Sequence, residues 1–600
     1  MKYRKDIQIL RGIAVLFVVL FHLGVWGFNS GFLGVDIFFV ISGYLMGVMY
    51  DPEKTSDFFA KRAKRLLPAY FATIFVSVLA AIFITAPVEY DQVATQAVFA
   101  TFFSSNIGFW MDYSYWDNTA FRPLLHLWSL GVEIQFYLLV PLIYWFYKKI
   151  KFSVPIIALS SLILSIFTLG VSPKTVFYLL PFRVWQFLMG FMVAKYLSSR
   201  KREEKGAVSF AGGALFLLLL CIPLVKVDGT DWSFVSGHPG LAALVVSAAT
   251  AGILWIGIPA WIENNLISTV FEKLGKYSYS IYLAHFPVIV FYLYKPFSGT
   301  VTEAGSIGKT LLMALIIVFA SMLLFYLIET PMRNNVHVRK WLIYAPIAIL
   351  IFAPLGFQIQ KTLISDNEML IYQAWFDRSE YRCGKLNRFL HPLAADCELQ
   401  PIAESPDLRI LLVGDSHADA IKTTFTKVAE SENAVVYFLV KNDPLYEGGM
   451  DPEQVMQIAK ERNVDAIVLH YSPGGLPPSS FERLVELSTQ NQIPLSFIMP
   501  VPTWDVNVPD ALIKHLEIGQ TVPLQTRDDY LRVRQNIINM VSGVRYDKFR
   551  VYSVVDSFCA PDCRLVLDNG KPLYFDNTHL TLSGSEVLGG VFTKLIDDLR

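Results

Sequence analysis

The sequence predicts an α-helical membrane bundle, about ten core spans plus one connecting span, followed by an α/β three-layer domain built on a parallel sheet. Three observations carry that expectation. Of 600 residues, 54% are hydrophobic, which is rich for a soluble chain. Up to about Lys361 the apolar residues gather into repeated runs of roughly 18–22 residues, the length that crosses a hydrocarbon core. From about Asp407 the pattern changes to short apolar runs separated by helical stretches, the alternation expected of βα units.

The spans are expected at roughly 7–27, 32–50, 66–86, 132–147, 153–170, 176–197, 208–226, 240–260, 279–295, 309–328 and 341–360, with Asp91–Ser105 ambiguous. The loops "MKYRKD", "KTSDFFAKRAKR", "KKIK", "SSRKREEK", "EKLGK" and "MRNNVHVRK" place their cations on one side. The opposite loops hold scattered ones such as Arg122, Lys174 and Lys226. Basic loops stay in the cytoplasm, so the N-terminus is expected inside, and an odd number of spans puts everything after Lys361 outside. The first span is too long for a signal-peptide core and lacks a small-x-small cleavage site, so it is expected to be retained. The divisions that follow are a bundle over 1–335, an additional membrane helix over 336–361, a periplasmic linker or extension over 362–405 and an α/β domain over 406–600. Lys+Arg and Asp+Glu both number 51, so net charge discriminates nothing. No phosphate loop, heptad array or nucleic-acid motif stands out.

Five cysteines divide the same way. Cys221 lies alone in an expected span and reads as a small hydrophobe. Cys383, Cys397, Cys559 and Cys563 all follow the last span; of three possible pairings the local one, Cys383–Cys397 with Cys559–Cys563, closes two short loops. A zinc site is the competing reading, but the spacing is poor and no His stands beside either pair. Disulfides imply an oxidising compartment. No metal is expected.

The apolar runs carry residues that a bilayer does not welcome. Arg11 and His22 are eleven apart, three turns plus about 20°, so they share one helix face about 16 Å apart along the axis. A cation at mid-membrane costs roughly 2.5–3.5 kcal/mol, although Arg11 is near enough to the end to snorkel. "HLWSLGVEIQFYLLVPL" adds Ser129, Glu133 and Tyr137 at i, i+4, i+8, with His126 and Trp128 just before. "GFLGVDIFFVISGYL" puts Asp36 and Ser42 into the second span, and "GKYSYSIYLAHFPV" brings Ser278, Ser280, Tyr282 and His285 to the ninth. Ionisable groups on several spans are expected to face a shared interior. Arg62 and Arg65, ahead of Pro68, read either as a topology signal or as an anion site.

In these residues the chain resembles the integral-membrane acyltransferase family that O-acylates bacterial surface sugars. The Arg–x10–His pair, "RAKRLLPAY", "HLWSLGVEIQFY", "YSYSIYLAHFP" and "IETPMR" (Glu329 to Arg333) carry the resemblance, over roughly residues 1–335. It implies that Arg11 and His22 are acyl-donor residues and that acyl-coenzyme A, most plausibly acetyl-coenzyme A, is the donor substrate, with no bound cofactor. Arg11, Arg62 and Arg65 could then hold its phosphates. His22 could be a general base or a transient acyl carrier, with Glu133 the candidate to orient it.

In the second part "LRILLVG", "AVVYFLV", "DAIVLHY", "PLSFIMP" and "FRVYSVV" read as five buried parallel strands. The first ends in "VGDSHADA": Gly414 permits a sharp turn, and Ser416 opens the next helix, where backbone N–H groups can hold an oxyanion. Near the C-terminus "YFDNTHLTLSG" holds Asp576 and His579, base and orienting carboxylate for a Ser416 nucleophile. This part resembles the SGNH hydrolase superfamily over roughly 405–600, and Ser416, Asp576 and His579 map onto its Ser, Asp and His. Two features depart. The oxyanion Gly has no clear equivalent beyond Gly448 or Gly449, and the Asn block is replaced by His470 and Tyr471.

The reading is a two-part O-acyltransferase of a bacterial inner membrane, moving an acyl group from cytoplasmic acyl-coenzyme A to a hydroxyl of a surface polysaccharide, O-antigen first and peptidoglycan or exopolysaccharide second. Ser416 is the expected relay. Two alternatives remain: direct transfer within the membrane, the outer domain being an esterase or glycan-binding module, and a transporter of a solute or lipid-linked sugar, against which no inverted repeat is evident. The oligomeric state is not legible.

Overall fold

The computed structural model describes all residues except 1–2, 113–114, 116–118, 198–205, 336–337, 385–386, 388–389, 392–393, 401–405, 442–443 and 447–448. It divides into two compact units, Met1–Gln360 and Lys361–Arg600.

The first unit is helical. The elements that matter below are α1 (Lys5–His22), α2 (Gly34–Met49), α3 (Thr55–Ile84), α4 (Leu127–Lys149), α5 (Val184–Met192) and α6 (Leu266–Tyr292). Among the described residues five helical stretches are long and apolar enough to cross a membrane: Gly31–Met49, Pro52–Ile84, Leu127–Lys149, Ile307–Arg333 and Val338–Leu363. Shorter apolar helices cover Ser153–Leu169, Phe210–Leu224 and Leu241–Ile256. The last two long stretches bury only 22% and 17% of their most apolar windows. Leu311, Leu315, Phe319, Ile343 and Ile351 are bare on their surfaces, an apolar face that lipid covers and water does not.

Two expected spans are corrected, and the ambiguous stretch is resolved. The first helix stops at His22, because Gly24 and Gly27 turn the chain at φ +65° and +85°, a region that glycine enters without steric cost. The span expected at 176–197 is broken into Pro173–Tyr178, a short turn at Leu180–Phe182, and α5. Leu179 is extended at φ −92°, ψ 135°, and Pro181 has no N–H for a continuous ladder. The ambiguous 91–105 stretch is helical up to Thr101, within Pro87–Thr101, and after a break at 102–104 a second helix runs over Ser105–Met111.

Helices α1 and α6 pack backbone to backbone. A Cβ added to Gly12 would lie 2.0 Å from Phe271 O, and one on Gly275 would lie 1.9 Å from Gln8 O. Small residues are what allow membrane helices to approach this closely. The same pair of helices brings His22, at the end of α1, against His285 of α6.

The second unit is a six-stranded sheet in the order β1-β3-β2-β4-β5-β6. Strands β2 (Leu408–Gly414), β3 (Ala434–Leu439), β4 (Ala466–His470), β5 (Leu495–Ile498) and β6 (Phe549–Tyr552) are the five anticipated parallel strands. The sheet is mixed, however, because β1 (Asp396–Glu398) adds an antiparallel edge against β3. Three residues are too few to show periodicity. Helix α7 (Ser416–Ser431) follows β2 directly. Cys383–Cys397 and Cys559–Cys563 are disulfides, the first tying the segment before the sheet to β1.

Candidate active site

Two sets of polar residues stand out, one in each unit.

In the first unit, His22 at the end of α1 is buried, and its two ring nitrogens are assigned by their partners. His285 Nδ1 lies 2.7 Å from Tyr282 O, a carbonyl that can only accept, so His285 Nδ1 carries the proton. In neutral rings His285 Nε2 is then the acceptor for His22 Nδ1–H, at 3.1 Å. That leaves His22 Nε2 with its lone pair, taking the Tyr115 hydroxyl proton at 2.8 Å. A hydroxyl in hydrogen-bond reach of this nitrogen is the contact a general base needs. The His22 ring is fixed further by the edge of Phe286, with centroids 4.8 Å apart.

His22 and Tyr115 line a small cavity, about 10 Å³, with Val18, Phe32, Val35, Asp36, His126, Trp128, Phe177, Arg183, His238 and Tyr282. Asp36 on α2 is buried and paired with Arg183 Nη1 at 3.1 Å; it also accepts from Gln186 Nε2. Arg183 Nη2 lies 3.1 Å from His238 Nε2.

A second cavity, about 70 Å³, gathers Arg11, Arg62 and Arg65 with Ser42, Ser129, Glu133, Tyr137, Ser278 and Tyr282. Val35 and Tyr282 belong to the walls of both cavities. Arg62 donates to Met49 Sδ at 2.8 Å and faces the Tyr137 ring with its Cζ 5.8 Å from the centroid. Arg11 reaches the neutral Gln8 Oε1 at 3.5 Å. Among the described residues no carboxylate is in ion-pair contact with either.

Glu133 is not beside His22, contrary to its anticipated part in orienting that ring. It accepts from Ser42 Oγ and from the Tyr137 hydroxyl in the arginine cavity. The ring's orienting partner is His285. Ser129 Oγ meets the Tyr282 hydroxyl at 2.6 Å; Ser280 donates to Glu329 Oε2 at 2.6 Å, and Arg333 Nη2 donates to Glu329 Oε1 at 3.0 Å. Arg183, His238 and Tyr115 join the site without having been singled out by the sequence pattern. Arg183 had a signal, a cation inside the apolar "LLPFRVWQFL"; His238 and Tyr115 lie in loops with no local pattern.

In the second unit Ser416 is the first residue of α7, and it is exposed. The turn before it requires glycine: a Cβ on Gly414 would sit 1.9 Å from His470 O. Ser416 Oγ donates to His579 Nε2 at 2.6 Å, and His579 Nδ1–H donates to Asp576 Oδ2 at 2.7 Å. Asp576 Oδ1 accepts the N–H groups of Thr578 and His579 at 2.8 and 2.7 Å. The nucleophile, base and orienting carboxylate thus touch in sequence. Burial works against charge on His579, but the hydrogen bond and charge of Asp576 outweigh it and hold its pKa above the ordinary histidine value. Burial likewise opposes charge on Asp576, yet the His579 contact and the two N–H bonds hold it below the usual carboxylate range.

Of the anticipated oxyanion glycines, the described one has its N–H engaged elsewhere. Gly448 lies outside the described residues, and Gly449 N–H is turned back onto Tyr446 O at 3.0 Å. What stands beside the nucleophile is Asp415, whose Oδ2 takes Ser472 N–H at 2.9 Å, Ser472 Oγ at 2.6 Å and Tyr446 OH at 3.3 Å. Ser472 follows β4, two residues beyond His470. A Cβ on Gly475 would come within 2.6 Å of Asp415, Ser472 and Tyr446, so this glycine closes the cluster.

A helical unit with buried cations and an imidazole, followed by an α/β unit with a Ser–His–Asp array, is the architecture of a multi-pass membrane acyltransferase carrying a hydrolase-like domain. The chain belongs to the family described as "Acyltransferase domain", whose sequence model matches residues 4–330. Residues 382–594 match the "SGNH domain (fused to AT3 domains)". O-acetyltransferase OatA of Staphylococcus aureus strain NCTC 8325 / PS 47 is 31% identical over 361 residues, 56% of this chain and 58% of its own length. The protein of the same name from strain COL is similar to the same extent. The chain therefore spans less than two thirds of these relatives.

Proposed function

We propose that this protein is an O-acetyltransferase of a bacterial inner membrane, with its N-terminus in the cytoplasm and its C-terminal unit in the periplasm. It takes an acetyl group from cytoplasmic acetyl-coenzyme A and delivers it to a sugar hydroxyl of a surface polysaccharide, O-antigen before peptidoglycan or another exopolysaccharide. The observation that carries this reading is the pair of adjoining cavities: three guanidinium groups line one, His22 lines the other, and Val35 and Tyr282 belong to both. Arg11 and Arg62, which among the described residues have no carboxylate in ion-pair contact, suit the phosphates of coenzyme A, and a thioester on its long arm reaches His22 past Tyr282.

The chemistry in the second unit follows from its contacts. His579 takes the Ser416 Oγ proton as Oγ bonds to the acyl carbon; the bond between that carbon and the group that delivered it breaks, and His579 gives the proton to the departing group, which leaves an ester on Ser416 and a neutral ring. An acceptor sugar hydroxyl then loses its proton to His579 and attacks that ester, and the proton returns to Oγ. The names of the staphylococcal relatives agree with acetyl as the group.

Sealed inner-membrane vesicles, cytoplasmic face outward and supplied with labelled acetyl-coenzyme A, test the reading. An acetyl adduct on the Ser416 peptide in the parent, absent from His22→Ala, places His22 before Ser416. Absence of an adduct even in His579→Ala, with the glycan still labelled, would remove the relay and leave direct transfer in the membrane unit. No label transfer from acetyl-coenzyme A at all would sink the donor.

A further inference from the structure

The cavity beside His22 is small and two-sided. At about 10 Å³ it has room for roughly one group of water or methyl size. One part of its wall is apolar: Val18, one turn before His22 on α1, with Phe32 and Val35. The other part is polar and incompletely satisfied. His126 is only 2% exposed, and among the described residues neither of its ring nitrogens has a partner at full hydrogen-bond geometry. His238, also 2% exposed, takes Arg183 on Nε2, and its Nδ1 has no partner among the described residues. With Nε2 accepting, Nδ1 of a neutral ring carries the proton, a buried donor with nothing to receive it. Such a donor is costly to bury unless a ligand completes it. A filled apolar void would not use these nitrogens, and a purely polar one would not be closed by Val18, Phe32 and Val35.

We infer that this cavity is the acyl pocket, built for acetyl: His126 and His238 hydrogen-bond the thioester carbonyl oxygen, and Val18, Phe32 and Val35 close on the methyl and exclude longer chains. The inference rests on the proposal that acyl-coenzyme A is the donor, and it adds a length limit and two carbonyl-binding residues. The Arg183–Asp36 ion pair positions the second of them, since Arg183 fixes which nitrogen of His238 carries the proton. Each further methylene has to displace one of three packed side chains, and a single methylene in an apolar pocket discriminates about 10–200-fold.

The test uses the full chain in inverted membrane vesicles, with acetyl-, propionyl- and butyryl-coenzyme A labelled in the acyl group. Transfer of label to any macromolecular fraction is read against vesicles lacking the protein. The parent prefers acetyl over butyryl by at least about tenfold. Val18→Ala and, separately, Val35→Ala shift that ratio about tenfold toward the longer chains. His126→Phe lowers transfer from all three donors alike and leaves the ratio unchanged. A parent that uses butyryl as well as acetyl, or a ratio unmoved in both alanine variants, overturns the acyl pocket while leaving the donor standing. No transfer from any of the three removes the donor itself, and this inference with it.

Discussion

His285 Nε2 stands 3.1 Å from His22 Nδ1, and this contact decides which nitrogen of His22 is free to act. The chain of bonds starts at a backbone carbonyl, Tyr282 O, so its direction does not depend on any other titrating group. His285 is therefore a positioning residue. His285→Leu removes the acceptor for His22 Nδ1–H and lets the ring turn or change tautomer. Acetyl transfer is expected to fall about 100-fold, the scale of a misdirected general base. The KM for acetyl-coenzyme A is expected to stay within about twofold, because the arginine cavity is untouched. His285→Gln, whose amide oxygen can accept the same proton, restores part of the rate. A fall in kcat with equal loss in both variants would mean that the ring does no more than pack.

The three guanidinium groups are predicted to act on donor affinity instead. Arg62 spends its bond on a thioether and Arg11 on an amide, so an incoming phosphate does not first have to break an ion pair. Arg11→Ala and Arg62→Ala should each raise the KM for acetyl-coenzyme A about tenfold, roughly one charge-assisted hydrogen bond each. kcat should change little. Titration of vesicle-reconstituted protein with donor checks this; a drop in kcat at unchanged KM would place these cations in the chemistry.

Much of the candidate site was legible because each member carries its own signal. Ser416 follows a strand and a glycine; Asp576 and His579 lie three apart in one loop; Arg11, His22, Asp36 and Glu133 are costly residues in apolar runs. Partnership was not legible, since it is set by helices that meet far apart in sequence. His22 and His285 meet where α1 packs on α6, and nothing in either segment names the other. For the same reason the sequence pairs Glu133 with His22, whereas Glu133 bonds to Ser42 and Tyr137. The five parallel strands were readable from their unbroken apolar runs, whereas β1 is too short to have a pattern. The break at Leu179–Arg183 hid inside continuous hydrophobicity, and only Pro181 marks it.

The Ser416 site should have an acid limit set by His579. The ring must be neutral to accept the Oγ proton, so activity of this unit rises as pH climbs through the His579 pKa. Asp576 raises that pKa above the ordinary histidine value, and the midpoint of the limb should accordingly lie above the unperturbed 6.5 or so. Asp576→Asn removes the charge and the acceptor for Nδ1–H. The limb should move to lower pH while the plateau rate falls about 1,000-fold or more. Hydrolysis of an activated acetate ester by the full chain, followed across pH, reads both. A limb that stayed in place in Asp576→Asn would show that another group sets it.

The segment before the sheet is predicted to stabilise the Ser416 site as well as lead to it. Arg382 Nη1 donates to Gly414 O at 3.1 Å, and Arg382 N–H donates to Asp419 Oδ1 at 2.9 Å, so the turn carrying the nucleophile is held from this side. Asp377 reaches the other half of the triad, its carbonyl taking Leu582 N–H at 2.7 Å and its Oδ2 taking Ser583 N–H at 3.1 Å. The Cys383–Cys397 bridge, with 14 residues of separation, ties this segment to β1, and a loop of that length contributes about 3 kcal/mol by restricting the unfolded chain. Cys383→Ser with Cys397→Ser should therefore lower the urea midpoint of the second unit with little change in slope, read by protease resistance of the full chain in membranes. Ester hydrolysis below the new midpoint should stay within about twofold of the parent, because neither sulfur touches the triad. Unchanged stability would mean that Arg382 and Asp377 hold the segment without the bridge. Lost hydrolysis at full stability would instead assign the bridge to the geometry of the Ser416 turn.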